Sequence, residues 1–249
     1  MFKILKTKKY YKSAKDNGIF GSQALFDIVN SSEFEKLFDQ TRRTAETFGT
    51  IDPILTKLIN EKGFDALPIL VDGNHYDLLI RSNLREIYRG VRMEGAVNDF
   101  AFNPNMFVGK GIYCNGVYFT YGGPGAKAEA DLYLYPQTGP HLEKYHGYIK
   151  NYPVGDVICA LMSKNTKVAS QDDLCKLKRK MEKQINKTDF SDKVKGRVID
   201  LISRDLSVVA VLNGYDAVDI KSSKYMVVYN RGKLILKNPN ENEIDSKQK

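Results

Sequence analysis

The chain has 249 residues, of which 42% are hydrophobic and 27% are charged, as in ordinary globular proteins. This length is sufficient for one large domain or for a domain with an extension, and no apolar run is long enough to cross a bilayer. The basic N-terminus is not followed by the apolar segment of a signal peptide, and three cysteines (Cys114, Cys159 and Cys175) lack metal-ligand spacing. We therefore expect a cytoplasmic protein that makes no membrane contact, binds no metal and keeps its thiols reduced.

The net charge of +8 suggests an acidic partner, such as a nucleotide, a nucleic acid or an acidic protein. The alternative is that the excess lies on solvated helix faces, since residues 176–187 alone contain six basic residues and one acidic residue. Charge alone does not decide between these two interpretations.

The first third of the chain is predicted to be helical. We expect a basic arm over residues 1–20 and a helical segment over 21–83. Within that segment, Ser31 or Ser32 is a candidate N-cap with Glu35 as its partner, and Asp52 is the candidate cap of a helix that begins at Pro53.

The remainder, 84–237, is predicted to be a mixed and mainly β domain, followed by a disordered tail over 238–249. Its β-prone runs are bounded by glycine-containing turns, whereas 126–134, 172–185 and 194–203 have helical character. The predicted strands of this domain outside the glycine-rich stretch are 87–91, 156–161, 208–212, 217–220, 225–229 and 233–236. In the N-terminal segment, 64–71 is predicted to be a first strand or a strand-like connector.

Arg89 is the first candidate site residue. It lies inside an apolar strand and is followed at once by Gly90, so a ligand could approach the backbone there. A guanidinium in that position is suited to bidentate binding of a phosphate or a carboxylate, although an edge-strand arginine could equally pair with a surface acid.

The second candidate is the stretch 109–120, in which Gly109, Gly111 and Gly116 interrupt a β-prone aromatic sequence. Glycine in a strand often marks a bulge or the close approach of a ligand. The rings of Tyr113 and Tyr118 offer faces on which a planar ligand could stack.

These motifs resemble the ADP-ribosyltransferase family, and the similarity is greatest to domains of bacteriophage and prophage proteins. Five stretches carry the resemblance: Tyr-Arg-Gly at 88–90, Gly-Lys-Gly-Ile-Tyr-Cys-Asn-Gly-Val-Tyr-Phe-Thr at 109–120, an alanine-containing helix at 126–133, and the blocks 214–220 and 225–234. It covers about residues 84–237. It implies an α+β fold, namely an ADP-ribosyltransferase-like split β-sandwich preceded by the helical N-terminal segment.

The resemblance also implies the ligand, NAD+, which is bound as a substrate in a cleft between two small sheets. Arg89 would hold a ribose or a phosphate, and Gly111 would allow close approach. Tyr113 or Tyr118 would stack on nicotinamide, with Thr120 beside it. Gly90 and Gly116 complete the predicted binding set.

The third motif departs from the family pattern. The alignment puts Lys224 where the family has the glutamate that stabilises the cationic transition state, and a lysine would repel that charge. Asp216, Asp219 and Glu129 are the acids available nearby. Of these, Glu129 is the predicted catalytic carboxylate, acting together with Arg89.

Two functions follow, with a third that rests on charge alone. The chain is predicted to cleave NAD+ and transfer ADP-ribose to a macromolecular acceptor, a protein rather than a nucleic acid, in the host cytoplasm if the chain is phage-encoded. The alternative is a catalytically degenerate module acting as a phage structural or inhibitory binding protein. A nucleic-acid-binding protein that uses the basic helix over 172–185 is the third possibility.

Overall fold

The computed structural model describes residues 22–43, 52–91, 94–104, 109–110, 114–132, 134 and 155–241. Within these residues the chain is an α+β protein with nine α-helices and one mixed sheet. The predicted arm over 1–20 and residues 242–249 of the predicted tail lie outside them.

The N-terminal segment is helical, as predicted. It contains α1 (Gln23–Asn30), α2 (Phe34–Arg43) and α3 (Pro53–Glu61). The Asp52 carboxylate caps α3, because its Oδ1 accepts hydrogen bonds from the backbone amides of Ile54 and Leu55 at 2.9 and 3.0 Å. The predicted cap and the proline in the first turn are therefore confirmed.

The sheet is built from nine short strands. Eight of them follow one another in the order β1-β9-β5-β2-β4-β8-β7-β6, and β3 pairs with β4 outside this path. The strands are β1 (Ile69–Val71), β2 (Arg85–Val91), β3 (Gly109–Lys110), β4 (Asn115–Tyr121), β5 (Asp156–Met162), β6 (Val168–Ser170), β7 (Ala217–Ile220), β8 (Tyr225–Val228) and β9 (Leu234–Lys237). Among the described strands, only β1–β9 and β6–β7, at the two edges, are parallel pairs, so the centre of the sheet is antiparallel.

Six further helices lie between the strands. They are α4 (Gly73–Arg81), α5 (Ala96–Phe102), α6 (Pro124–Leu132), α7 (Gln171–Asn186), α8 (Asp192–Arg204) and α9 (Leu206–Leu212). The strand predicted over 208–212 is wrong, because these residues belong to α9. The Asp205 side chain accepts a hydrogen bond from the Ser207 amide at 2.9 Å and begins a helix there, and every residue from Ser207 to Leu212 is buried. A short, uniformly apolar run has no periodicity that separates a buried helix from a buried strand.

The hydrophobic core lies on both faces of the sheet. We call them the Tyr118 face and the Phe119 face, because consecutive residues of a strand point to opposite sides. On the Tyr118 face, α1–α3 and α7–α9 share one apolar cluster with strand residues such as Val227. On the Phe119 face, α5 packs over a second cluster that includes Met226. The N-terminal helices thus share a core with the sheet, and none of the described helices is long and apolar enough to span a membrane.

Candidate active site

The strands that carry the two site motifs, β2 and β4, are neighbours that separate part-way along their length. They pair only at Ile87–Tyr121 and Tyr88–Thr120, although β2 stays paired with β5 as far as Val91. On its other side, β4 stays paired with β8 as far as Val117. The sheet therefore opens between β2 and β4 from Arg89 onward, within the described parts of both strands.

Arg89 lies at the first position of β2 beyond its last pair with β4, Tyr88–Thr120. Its Nη1 donates a hydrogen bond to the carbonyl oxygen of Tyr118, 2.9 Å away. A side-chain bond thus takes the place of the ladder bond that would otherwise join the two strands. By alternation along β2, Arg89 lies with Ile87 on the Phe119 face, so its guanidinium contacts the backbone carbonyl of Tyr118 and not the Tyr118 ring.

The ring of Tyr118 is held in place on the Tyr118 face. Its hydroxyl donates to the carbonyl oxygen of Cys114 at 2.7 Å and accepts from the Cys114 amide at 3.0 Å. The ring packs edge-on against that of Tyr225, with 5.9 Å between the ring centroids. Two of the chain's aromatic side chains thus form a fixed pair beside the split.

Thr120 has a structural role in this arrangement. It is buried, and its hydroxyl lies 2.6 Å from the carbonyl oxygen of Ala126, to which it donates. This bond ties β4 to the first turn of α6, the helix that carries Glu129.

Glu129 is the predicted acid that reaches the aromatic pair. Its Oε1 accepts a hydrogen bond from the Tyr225 hydroxyl at 2.9 Å, and Tyr225 lies opposite Thr120 in the strand register. The carboxylate is half-buried. A continuous series of contacts therefore runs from Tyr118 through Tyr225 to Glu129.

The other two candidate acids are engaged elsewhere. Asp216 is buried and accepts hydrogen bonds from the side chain of Asn230 at 2.7 Å and from the Lys167 amide at 2.8 Å. Asp219 lies on the Phe119 face, where it accepts a hydrogen bond from the Tyr121 hydroxyl. Both carboxylate oxygens of Asp216 are therefore already hydrogen-bonded, and Asp219 lies on the face opposite to Tyr118.

Lys224 lies at the turn before β8. Its φ of +53° is unusual for a residue with a side chain, and its carbonyl oxygen accepts a hydrogen bond from the Tyr121 amide at 3.1 Å. The residue aligned with the family's glutamate is therefore adjacent to the end of β4, beside the second motif.

The glycines of the site differ in what surrounds them. Gly116 has a φ of +145°, and a Cβ there would lie 2.5 Å from Cγ1 of Val227, so its missing side chain makes room for protein. Gly90 is half-buried and lies opposite Val157 of β5. Gly111 and Tyr113, two of the predicted binding residues, lie outside the described residues.

A buried polar cluster that the sequence does not reveal lies where β4 begins. The side-chain amide of Asn115 donates to Oδ2 of Asp52 at 2.7 Å, and its backbone amide donates to Oδ1 of Asp205 at 3.2 Å. Burial raises the pKa of the Asp205 carboxyl above its usual value, and the nearby Asp52 carboxylate adds to this effect. The partners lie 63 and 90 positions apart in sequence, so no local pattern links them.

Cys114, inside the second motif, is not arranged as a nucleophile. Its Sγ lies 3.4 Å from the Tyr229 hydroxyl, and burial raises the pKa of the thiol to about 11. Among the described residues, no three His, Cys, Asp or Glu side chains converge in a way that could hold a metal ion.

Comparison of the chain with protein-family models, with curated proteins and with solved structures finds no match.

Proposed function

We propose that the chain is an NAD+-dependent ADP-ribosyltransferase with the split-sheet fold of that family, and that its active site is the opening between β2 and β4. The observation that carries the proposal is the position of Arg89. Its guanidinium lies where the two strands part and contacts the strand that carries the aromatic motif. A guanidinium in that position can bind a phosphate of the dinucleotide.

The aromatic pair supports a site for nicotinamide beside the split. Tyr118 is fixed by its two hydrogen bonds with Cys114 and by its contact with Tyr225. A ring that cannot rotate freely loses little entropy when a planar group stacks on it, which favours binding.

Glu129 would supply the carboxylate that the reaction requires. In the proposed step, the bond between C1′ of the ribose and the nicotinamide nitrogen breaks, and neutral nicotinamide leaves with the electron pair. The positive charge that develops on the ribose is stabilised by the carboxylate of Glu129. A nucleophile on the acceptor then attacks C1′ and loses its proton. No metal is needed, because the leaving group is already a cationic pyridinium.

Lys224 favours the second candidate function, a binding module that has kept the fold and lost the chemistry. Its side chain reaches the turn after β4, since its Cδ lies 3.6 Å from where a Cβ on Gly122 would be. A cation there would oppose the charge that develops on the ribose. Fold alone does not establish activity, so turnover must be measured.

The test is to incubate the protein with labelled NAD+ and a cell lysate and to measure free nicotinamide and labelled macromolecule. We expect both to form with the natural sequence and neither with Arg89→Ala. The matched control is Arg179→Ala, which removes an exposed arginine of α7 and should leave turnover unchanged.

Each alternative gives its own result in this assay. Nicotinamide without label on any macromolecule would indicate a glycohydrolase and contradict the transfer step. If the natural sequence binds NAD+ but releases no nicotinamide, the chain is the catalytically degenerate binding module and not an enzyme.

A further inference from the structure

A cavity of about 470 Å³ lies at the end of the sheet where β2 begins and β5 and β7 end. This volume is within the range of small-molecule sites. Its strand residues Arg85, Met162 and Asp219 lie on the Phe119 face, opposite to Tyr118 and Thr120. None of the residues of the proposed active site lines it. The charged residues of its lining are Arg85, Lys164, Asp173, Asp219 and Lys221.

Arg85 is held in place at this cavity by two neighbours. Its Nη1 lies 3.6 Å from Oδ2 of Asp219, and its guanidinium carbon lies 5.1 Å from the ring centroid of Tyr121. The Tyr121 hydroxyl in turn donates a hydrogen bond to Asp219. The Arg85 side chain is still 49% exposed, and its N–H groups donate no hydrogen bond to any described residue. The guanidinium is thus oriented while its donors remain available.

The acids of the cavity already have partners, whereas its lysines do not. Asp173 accepts a hydrogen bond from Ser170 at 2.6 Å and lies 3.7 Å from Lys176. Lys164 and Lys221 are exposed, and their ammonium groups form no ion pair or hydrogen bond within the described part of the chain. The groups left to meet a ligand are therefore cationic, and three of them converge on one cavity.

We propose that this cavity binds the phosphate group of a small phosphoester about the size of a nucleoside monophosphate. An oriented guanidinium can bind two phosphate oxygens at once, and the lysines add point charges at the rim. The remaining volume suits a body larger than inorganic phosphate. The proposal does not depend on the transferase function, because the cavity and the proposed active site share no residue.

The test is isothermal titration of the full chain with AMP and, separately, with inorganic phosphate. We expect saturable 1:1 binding of AMP that weakens with added salt and is tighter than binding of phosphate. The double variant Lys164→Ala/Lys221→Ala should raise the Kd for AMP by about tenfold or more. The control Lys57→Ala/Lys180→Ala removes two exposed lysines elsewhere, so it matches the change in net charge and should leave the Kd unchanged.

The same titration with Arg89→Ala separates this site from the proposed active site. Unchanged AMP affinity in that variant, together with full NAD+ turnover in Lys164→Ala/Lys221→Ala, would support two independent sites. Loss of AMP binding in Arg89→Ala, with no effect of the lysine pair, would overturn the cavity proposal. Equal affinities for AMP and inorganic phosphate, or no saturable binding, would overturn it as well.

Discussion

Tyr225 of β8 and Glu129 of α6 are joined by a 2.9 Å hydrogen bond in which the tyrosine hydroxyl donates to the carboxylate. The bond fixes the acid beside Tyr118, whose ring contacts that of Tyr225. It also spans 96 positions of sequence, so it exists only because β8 pairs with β4 and α6 packs beside them. The position of the proposed catalytic carboxylate therefore depends on Tyr225, a residue that the sequence does not predict to be part of the site.

We predict that Glu129→Gln lowers NAD+ turnover at least a hundredfold, a loss on the order of that measured when one transition-state-stabilising group is removed. The amide keeps the shape of the side chain but not its charge, so the fold should be retained. Glu33→Gln, at an exposed position before α2, is the control. Turnover by Glu129→Gln within a factor of two of the natural sequence would exclude Glu129 as the catalytic acid.

Tyr225→Phe tests positioning separately from charge. It removes the hydroxyl that holds Glu129 and keeps the ring that packs against Tyr118. We expect turnover to fall about tenfold, the order expected for one hydrogen bond to a charged group. The effect should appear in kcat rather than in KM, because the acid acts on charge that develops in the transition state. A change confined to KM would contradict this role.

The Lys224→Glu variant tests whether the turn before β8 has kept a site for the missing glutamate. A carboxylate beside the end of β4 would attract the positive charge that develops on the ribose, whereas the lysine repels it. We therefore expect turnover to rise about tenfold or more. The control is Lys221→Ala, which removes a nearby positive charge without adding an acid. A decrease in turnover with Lys224→Glu would indicate that Lys224 itself takes part in binding.

The central strands could be predicted from sequence because their signals are local. β-prone residues bounded by glycine turns indicated β2, β4, β7 and β8, and the cap Asp52 indicated α3. Each of these inferences needed only residues close together in the sequence. The resemblance of the motifs did not predict that Arg89 would contact the backbone carbonyl of Tyr118 rather than its ring.

The parts that could not be predicted depend on which elements pack together. The choice of Glu129 over Asp219 requires the strand register, since alternation assigns a face only when the neighbouring strand is known. The helix α9 has no periodic signal because its surroundings are apolar on all sides. The pairing of Asn115 with Asp205 and Asp52 is likewise a long-range contact.

Gly116 is predicted to be essential for packing. Alanine there would combine an unfavourable φ of +145° with a Cβ 2.5 Å from Val227 and 3.0 Å from Tyr229. We expect Gly116→Ala to lower the free energy of unfolding by about 2–5 kcal/mol, from overpacking and backbone strain together. Urea denaturation measures the change.

The matched control for Gly116 is Gly196→Ala. A Cβ on Gly196, in α8, would meet no atom within 4 Å, so alanine there should raise stability by about 0.5–1 kcal/mol through its helix propensity. Similar effects of the two substitutions would contradict the packing argument.

Asp205 makes the stability of the protein dependent on pH. Burial raises the pKa of its carboxyl in the folded state, whereas the unfolded chain keeps a value of about 3.9. Between these two pKa values the folded state binds more protons than the unfolded state, so the free energy of unfolding falls as the pH rises. Above the raised pKa the carboxyl is ionised in the folded state, and burial of its charge lowers the free energy of unfolding by the full amount.

We therefore predict that Asp205→Asn is more stable than the natural sequence at pH 7, by about 1 kcal/mol or more. Its Oδ1 can still accept from the Ser207 and Asn115 amides, and its Oδ2, which has no hydrogen-bond partner in the described structure, is replaced by a neutral group.

The stability advantage of Asp205→Asn should shrink as the pH falls toward 4, because the natural carboxyl then becomes protonated. Urea denaturation at pH 4, 5, 6 and 7 measures it, with the exposed Asp200→Asn as the control. If the stability difference between Asp205→Asn and the natural sequence is constant with pH, or grows at low pH, then burial of a charged Asp205 does not destabilise the folded protein.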